Sequence, residues 1–368
     1  MLQAIFIRRL VPWNTLVGPP NEGHEAIADF LMCGAIDHAL TTNFDWLVER
    51  VAWDRLGTDF VASLESAEAV INEPRHKTLF KAHGCGLRDR DNTVWTRRQL
   101  AGAPVVDRIA GLRDWLAVRL RHKDLVIGGF WTDWDYLILV LEQCLATAEP
   151  TSVTVVDPAP AADLENRSPA LWATLHRPGI DFEHLMLSAA EVLDGLREAF
   201  SRWYARQVLQ TGAAIYNEAF GAACLPDWLQ GDDIPKTDLY TFRRDAECVR
   251  IGRAARRKTP DAGVQNFAFF NLALLRTGAQ REGAFFRLGD GRLVRVLNGA
   301  GRWLKAVERE YAQEPPGVPV ADVVMCVGAE DYGAPASVVR GGAPSSVVRP
   351  AGRGAWLDTA GARALVGL

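Results

Sequence analysis

The chain has 368 residues, enough for two domains that each bury a core of their own. Hydrophobic residues make up 48% and charged residues 23%, a globular balance that excludes a disordered or fibrous chain. A net charge of −4 argues against a general polyanion binder while leaving room for local basic patches.

The six cysteines (33, 85, 144, 224, 248 and 326) stand far apart with no C-x-x-C pair. Neither a zinc ribbon of the usual spacing nor a disulfide framework is expected, and no metal site is predicted. Twelve tryptophans are many, and tryptophan fills large cores, interfaces and base-stacking sites. The apolar start, Met1 to Leu10, is short and is interrupted by Arg8, Arg9 and then Pro12. It reads as neither a signal peptide nor a membrane span, and no other apolar run reaches bilayer length. A reduced, cytoplasmic protein with no membrane partner is expected.

In chain order, residues 24–40 carry Ala26, Ile27, Phe30, Leu31 and Ile36 at helical spacing, with Gly34 as a helix stop. A short buried strand is predicted from Ala35 to Thr42, running straight into Asn43. Leu47, Val51 and Leu56 then restore a helical pattern over 46–56. Further strands are predicted at 78–82, ending on His83-Gly84, at 124–127, ending on Gly128-Gly129, and at 152–156, ending on Asp157-Pro158. Helical stretches at 105–121 and 134–147 lie between them. This alternation predicts an α/β domain, a Rossmann-like parallel sheet with helices on both faces. Ligands of such sheets sit beyond the carboxyl ends of the strands, where all four predicted strands here place polar residues or glycine.

A long helix is predicted over 187–210, and the domain boundary is placed just after it. The first domain then spans 1–207, and a second, mixed α+β domain of unrecognised family spans 208–368, with a role in assembly or sensing. All seven histidines precede residue 185, so histidine chemistry belongs to the first domain. In the second, Arg243, Arg244, Arg250, Arg253, Arg256, Arg257 and Lys258 form a basic stretch. It is read as a solvated face, with nucleic acid or a protein partner as the alternative. Phe267, Phe269 and Phe270 read as core. Leu293 to Leu297 leads into Asn298-Gly299-Ala300-Gly301, which is either a tight turn or a displaced phosphate loop for the first domain. The echo of Ser337 to Arg340 in Ser346 to Arg349 reads as a tolerant loop or hairpin.

The chemistry-bearing residues come as three ordered groups. Pro20-Asn21, His24 and Thr41-Thr42-Asn43-Phe44-Asp45 resemble the sirtuin stretch P-N-x-x-H followed by T-Q-N-[IFY]-D. Lys81-Ala82-His83-Gly84 resembles that family's x-x-H-G element. Gly128-Gly129-Phe130-Trp131-Thr132-Asp133-Trp134-Asp135 is similar to its later glycine turn near the cofactor riboses, and Asp157 sits where it places an adenine-side contact. The T-T-N-[FY]-D spelling resembles the bacterial sirtuin-like branch, whose members often act in antiphage defence.

The resemblance implies NAD as substrate, bound by Thr41, Thr42, Phe44, Gly84, Gly128, Gly129, Phe130, Asp133 and Asp157. It implies that His83 acts as base, that Asn43 positions water and ribose, and that Asp45 holds the nicotinamide carboxamide. Breaking the bond between nicotinamide and ribose builds positive charge on the sugar, while the leaving group becomes neutral by departing. A histidine near neutral pKa suits the remaining proton transfer. Each residue also has an ordinary reading. Asp45 can cap the following helix, His83 can be a satisfied turn residue, the glycine pair can make room for helix–sheet packing, and Trp131 and Trp134 can be packing.

Two departures shape the expectation. Zinc-module cysteines are absent, which favours NAD cleavage over NAD-dependent protein deacylation. The chain enters the pattern near Gly18-Pro19-Pro20-Asn21 without the G-A-G-x-S loop that cradles pyrophosphate in sirtuins. The expected function is therefore a sirtuin-like NAD glycohydrolase of defence type, acting as a homo-oligomer or with a neighbouring defence protein. The alternative is a catalytically silent binding or assembly subunit.

Overall fold

The computed structural model describes residues 6–13, 18–56, 61–63, 78–130, 135–247, 262–311, 319–329 and 355–368. The chain divides into two compact units, Met1–Trp53 with Asp59–Leu196, and Asp54–Thr58 with Arg197–Leu368.

In the first unit, helix α1 (Glu22–Cys33) starts at Asn21, whose side chain accepts the His24 backbone N–H at 3.1 Å. It stops at Gly34, which holds φ of 73° and donates its own N–H back to the Phe30 carbonyl. Strand β1 (His38–Thr41) and helix α2 (Leu47–Leu56) follow. Strand β3 (Thr78–Lys81) is fully buried and lies between β1 and the short β2 (Val61–Ser63), parallel to both. A second three-stranded parallel sheet has the order β4 (Asp124–Gly128), β5 (Ser152–Val156), β6 (Asp181–Leu185). Helices α3 (Val105–Arg119), α4 (Asp135–Ala148), α5 (Ala161–Arg167) and α6 (Pro169–Leu175) complete the segment.

One core joins the two sheets. Phe80 of β3 and Ile127, Val153 and Val155 of β4 and β5 share it with Leu112 and Trp115 of α3 and Leu141 and Leu145 of α4. Each such side chain stabilises the fold by roughly 1.5–3 kcal/mol on leaving water. The parallel α/β architecture flanked by helices is as expected, but its strands form two three-stranded ladders. The predicted buried strand before Asn43 is shorter and only half-buried. Among the described residues β1 pairs with β3 alone, so it is an edge strand. Strand β6 and the short helices α5 and α6 were not predicted.

Helix α7 (Ala189–Phe220) is ten residues longer at its end than the sequence pattern indicates, and the extension carries buried Gly212 and Tyr216. The division between the units falls inside this helix, at Leu196 and Arg197, where the sequence reading placed it after residue 207.

The second unit holds a mixed five-stranded sheet in the order β11 (Ala355–Leu357), β10 (Val323–Val327), β9 (Leu293–Asn298), β8 (Phe285–Arg287), β7 (Gln280–Glu282). The β7–β8 and β8–β9 pairs are antiparallel, and β9, β10 and β11 run parallel. Helices α8 (Lys236–Glu247), α9 (Ala262–Arg276), α10 (Leu304–Tyr311) and α11 (Thr359–Leu365) accompany it. Phe267, Phe269 and Phe270 of α9 are core, as expected.

One expectation is corrected here. Arg243 and Arg244 do not lie on a solvated face. Both are buried, Arg243 stacked over Phe200 and Arg244 over Tyr240, with the Asp245 carboxylate alongside Arg244 at 3.9 Å. The rest of the basic stretch (Arg250 to Lys258) and the serine–valine echo lie outside the described residues. Of the two readings of Asn298 to Gly301, the tight turn is the one observed. Strand β9 is hydrogen-bonded to β8 and β10, so Gly299 serves a turn of the second unit's own sheet. A Cβ at Gly299 would fall 2.5 Å from the Ala329 nitrogen, which explains the glycine.

Candidate active site

Strand β1 delivers the Thr41 to Asp45 stretch at its carboxyl end. Thr41 accepts the Ala82 N–H through its carbonyl at 2.9 Å and the Asn43 N–H through its hydroxyl at 3.0 Å. Asn43 is exposed, and Thr42 is half-buried. Phe44 packs in an aromatic cluster, 4.6 Å from the Trp95 ring and 5.8 Å from Trp13, while its carbonyl accepts the Gly86 N–H at 2.7 Å. Asp45 Oδ1 accepts the Leu47 N–H at 3.0 Å and so caps α2. Lys81 at the end of β3 donates to the Asp45 carbonyl and forms a buried ion pair with Glu49 at 2.8 Å. That lysine ties the ends of β1 and β3 together.

Strand β3 delivers His83, only 8% exposed. The following Gly84 holds φ of 85°, and a Cβ there would meet the Asn92 carbonyl at 3.1 Å and Arg108 Nη1 at 3.3 Å. Glycine is required by both the conformation and the space. Arg108, projecting from α3 and 1% exposed, is the centre of this region. Its guanidinium donates to the Ala82 carbonyl at 2.9 Å and the Asn92 carbonyl at 2.8 Å, and it pairs with Asp89 at 3.2 Å.

Burial and, next, the nearby Arg108 charge lower the His83 pKa to about 4, partly opposed by a hydrogen bond from the ring to the Thr42 backbone. His83 is therefore neutral at neutral pH. Its Nε2 lies 2.5 Å from the hydroxyl of Tyr136, in the first turn of α4, and burial pushes that phenol well above its usual range.

Strand β4 ends at the glycine turn. A Cβ on Gly128 would sit 2.8 Å from Ala189 Cβ, so this glycine makes room for α7. Gly129 holds φ of 58°, would have nothing among the described residues within 4 Å of an added Cβ, and donates its N–H to the Val156 carbonyl at 3.1 Å. Phe130 packs partly against the core. Asp133 lies outside the described residues, with Trp131, Thr132 and Trp134. Asp157 follows β5, where its Oδ1 accepts the Ala159 N–H at 2.9 Å and its carbonyl meets His184 Nε2 at 3.1 Å.

The structure thus brings Thr42, His83 and the helix after the glycine turn into direct contact, uniting the carboxyl ends of β1 and β3 with the segment that follows β4. Sequence reasoning missed Arg108 and Tyr136. Arg108 did leave a signal, a charge at apolar helical spacing with Val105, Leu112, Trp115 and Leu116. Tyr136 left none beyond its nearness to the glycine turn.

Among the described residues no three His, Cys, Asp or Glu side chains are placed to hold a metal ion, and no helix is long and apolar enough to cross a membrane. None of the curated proteins compared with the chain matches it. Residues 37–177, the stretch from β1 through α6 that carries this histidine and its neighbours, match the family model described as a SIR2-like domain, and this part of the chain is sirtuin-like.

Proposed function

We propose that the first unit is a sirtuin-like NAD glycohydrolase that splits NAD into nicotinamide and ADP-ribose, acting as a defence effector. The observation that carries this reading is the buried, neutral His83, hydrogen-bonded to the Thr42 backbone inside the SIR2-like segment. A neutral imidazole can accept a proton from water or from a ribose hydroxyl as the glycosidic bond breaks. Asn43, exposed at the end of β1, positions water and ribose. Asp45 holds the carboxamide through the carboxylate oxygen that does not cap α2. The backbone at Thr41, Thr42, Gly84, Gly128 and Gly129, with Phe44, Phe130, Asp133 and Asp157, holds the rest of the dinucleotide. The room for an added Cβ at Gly129 among the described residues fits such an approach. In this reading the second unit supports assembly, with further copies or with a neighbouring defence protein.

Incubating the full chain with NAD and quantifying nicotinamide and ADP-ribose tests the proposal, with His83→Ala and Asn43→Ala alongside. Equal amounts of the two products from the parent chain, and loss in both variants, are expected. Turnover that survives both substitutions sinks the site assignment. A silent binding subunit is the second reading, favoured by the capping bond of Asp45 and by the packing of Phe44 on Trp13 and Trp95. Stoichiometric NAD binding without nicotinamide release would support it.

A further inference from the structure

Tyr136 belongs to none of the three motifs, yet its hydroxyl is 2.5 Å from His83 Nε2. The two rings lie at a tilt of 38° with centroids 6.0 Å apart, the separation that this hydrogen bond sets. His83 itself is almost wholly buried, whereas Tyr136 is only partly so. The imidazole is hydrogen-bonded to the Thr42 backbone and feels the charge of the Arg108 that anchors the Gly84 turn. The Tyr136 hydroxyl is thus a hydrogen-bond partner of Nε2 carried on the helix that follows the glycine turn.

We propose that Tyr136 is a proton relay between the attacking water and His83. A phenol hydroxyl donates one hydrogen bond while accepting another, so it can stand between a buried base and a bound water. As the bond from ribose C1′ to the nicotinamide nitrogen breaks, the water oxygen bonds to C1′. The water proton passes to Tyr136 Oη, and the Tyr136 proton passes to His83 Nε2. Nicotinamide leaves neutral with the bonding electron pair, and the imidazolium later releases its proton to solvent. The net products are nicotinamide, ADP-ribose and one proton, with no further reactant required.

This inference rests on the NAD-cleavage reading, so its test uses one readout with NAD and one without. In the first, Tyr136→Phe keeps the ring and removes the hydroxyl. Relay catalysis predicts that kcat for nicotinamide release falls about a hundredfold with KM unchanged. It also predicts a curved proton inventory in mixed H2O and D2O for the parent chain, a measurement that needs no variant. In the second, without NAD, the His83 ring is titrated by NMR, its signal assigned by its loss in His83→Gln. Losing a hydroxyl that donates to the neutral ring should raise the His83 midpoint by roughly 0.5–1 pH unit in Tyr136→Phe. Parent-like kcat in folded Tyr136→Phe, or a linear proton inventory, overturns the relay and leaves NAD cleavage standing. A parent chain that releases no nicotinamide overturns both. An unmoved titration overturns the hydrogen bond on which the relay depends.

Discussion

Replacing Arg108 with methionine tests whether one buried guanidinium builds the histidine site. The side chain lies beneath His83 and Gly84, bonded to the Ala82 and Asn92 carbonyls and paired with Asp89 at 3.2 Å. Methionine fills much of the volume but takes this cation from a buried carboxylate and this donor from two carbonyls. Breaking a buried pair from one side costs about 3–5 kcal/mol. A domain of this size shifts by roughly 2–4 °C per kcal/mol, so the first unit should melt roughly 6–20 °C lower. Differential scanning calorimetry of the full chain at pH 7 reads the shift. Adding Asp89→Asn should recover part of it, because the buried carboxylate charge is then gone. Removing the positive charge should also raise the His83 midpoint, since Arg108 disfavours the imidazolium. A loss below about 1 kcal/mol, the size of an exposed pair, would refute the argument that this arginine organises the site.

The pH dependence of stability follows from His83. Its folded pKa, about 4, lies below the ordinary value of 6.5, so the unfolded chain binds more protons between the two. The stabilisation is fully present above 6.5 and is lost as pH falls toward 4, by up to about 3 kcal/mol. Denaturant unfolding at stepped pH should show that slope, and His83→Gln should flatten it; an equal slope in both chains would contradict the assignment. In the second unit, Arg295 grips buried Asp245 through two bonds of 2.7 Å. Asp245→Ala takes this carboxylate from the buried arginine and should cost about 3–5 kcal/mol by the same denaturant assay, with a loss under 1 kcal/mol counting against it.

Much of the first unit was legible because its signals are local. Three of the four predicted strands formed within a residue or two of their expected ends, since Thr78–Lys81, Asp124–Gly128 and Ser152–Val156 are apolar runs closed by glycine or polar residues. Gly34 ends α1 as the sequence indicated, whereas the capping role of Asn21, read there only as part of a motif, emerged from the structure. The split of the strands into two ladders was not legible, because neither pairing partners nor register leave a mark on a single strand. The site shows the same division. His83 and Gly84 were found from a motif, and the φ of 85° gives Gly84 a physical reason to be there. Arg108 and Tyr136 reach His83 from helices 25 and 53 residues further along the chain; periodicity puts Arg108 on a buried face, but which residues the two meet depends on packing. Arg243 and Arg244 failed for a related reason. A charge cluster reads as surface until the aromatic rings and the carboxylate that accommodate it are seen.

The central claim is that the neutral histidine at the end of β3 drives cleavage of NAD. A time course of nicotinamide release by the purified full chain, beside a folded His83→Ala variant of matched melting temperature, tests it most directly. The account predicts steady release with one ADP-ribose per nicotinamide from the parent chain and at least a hundredfold slower release from the variant. Equal release from both, or none from the parent chain, would contradict it.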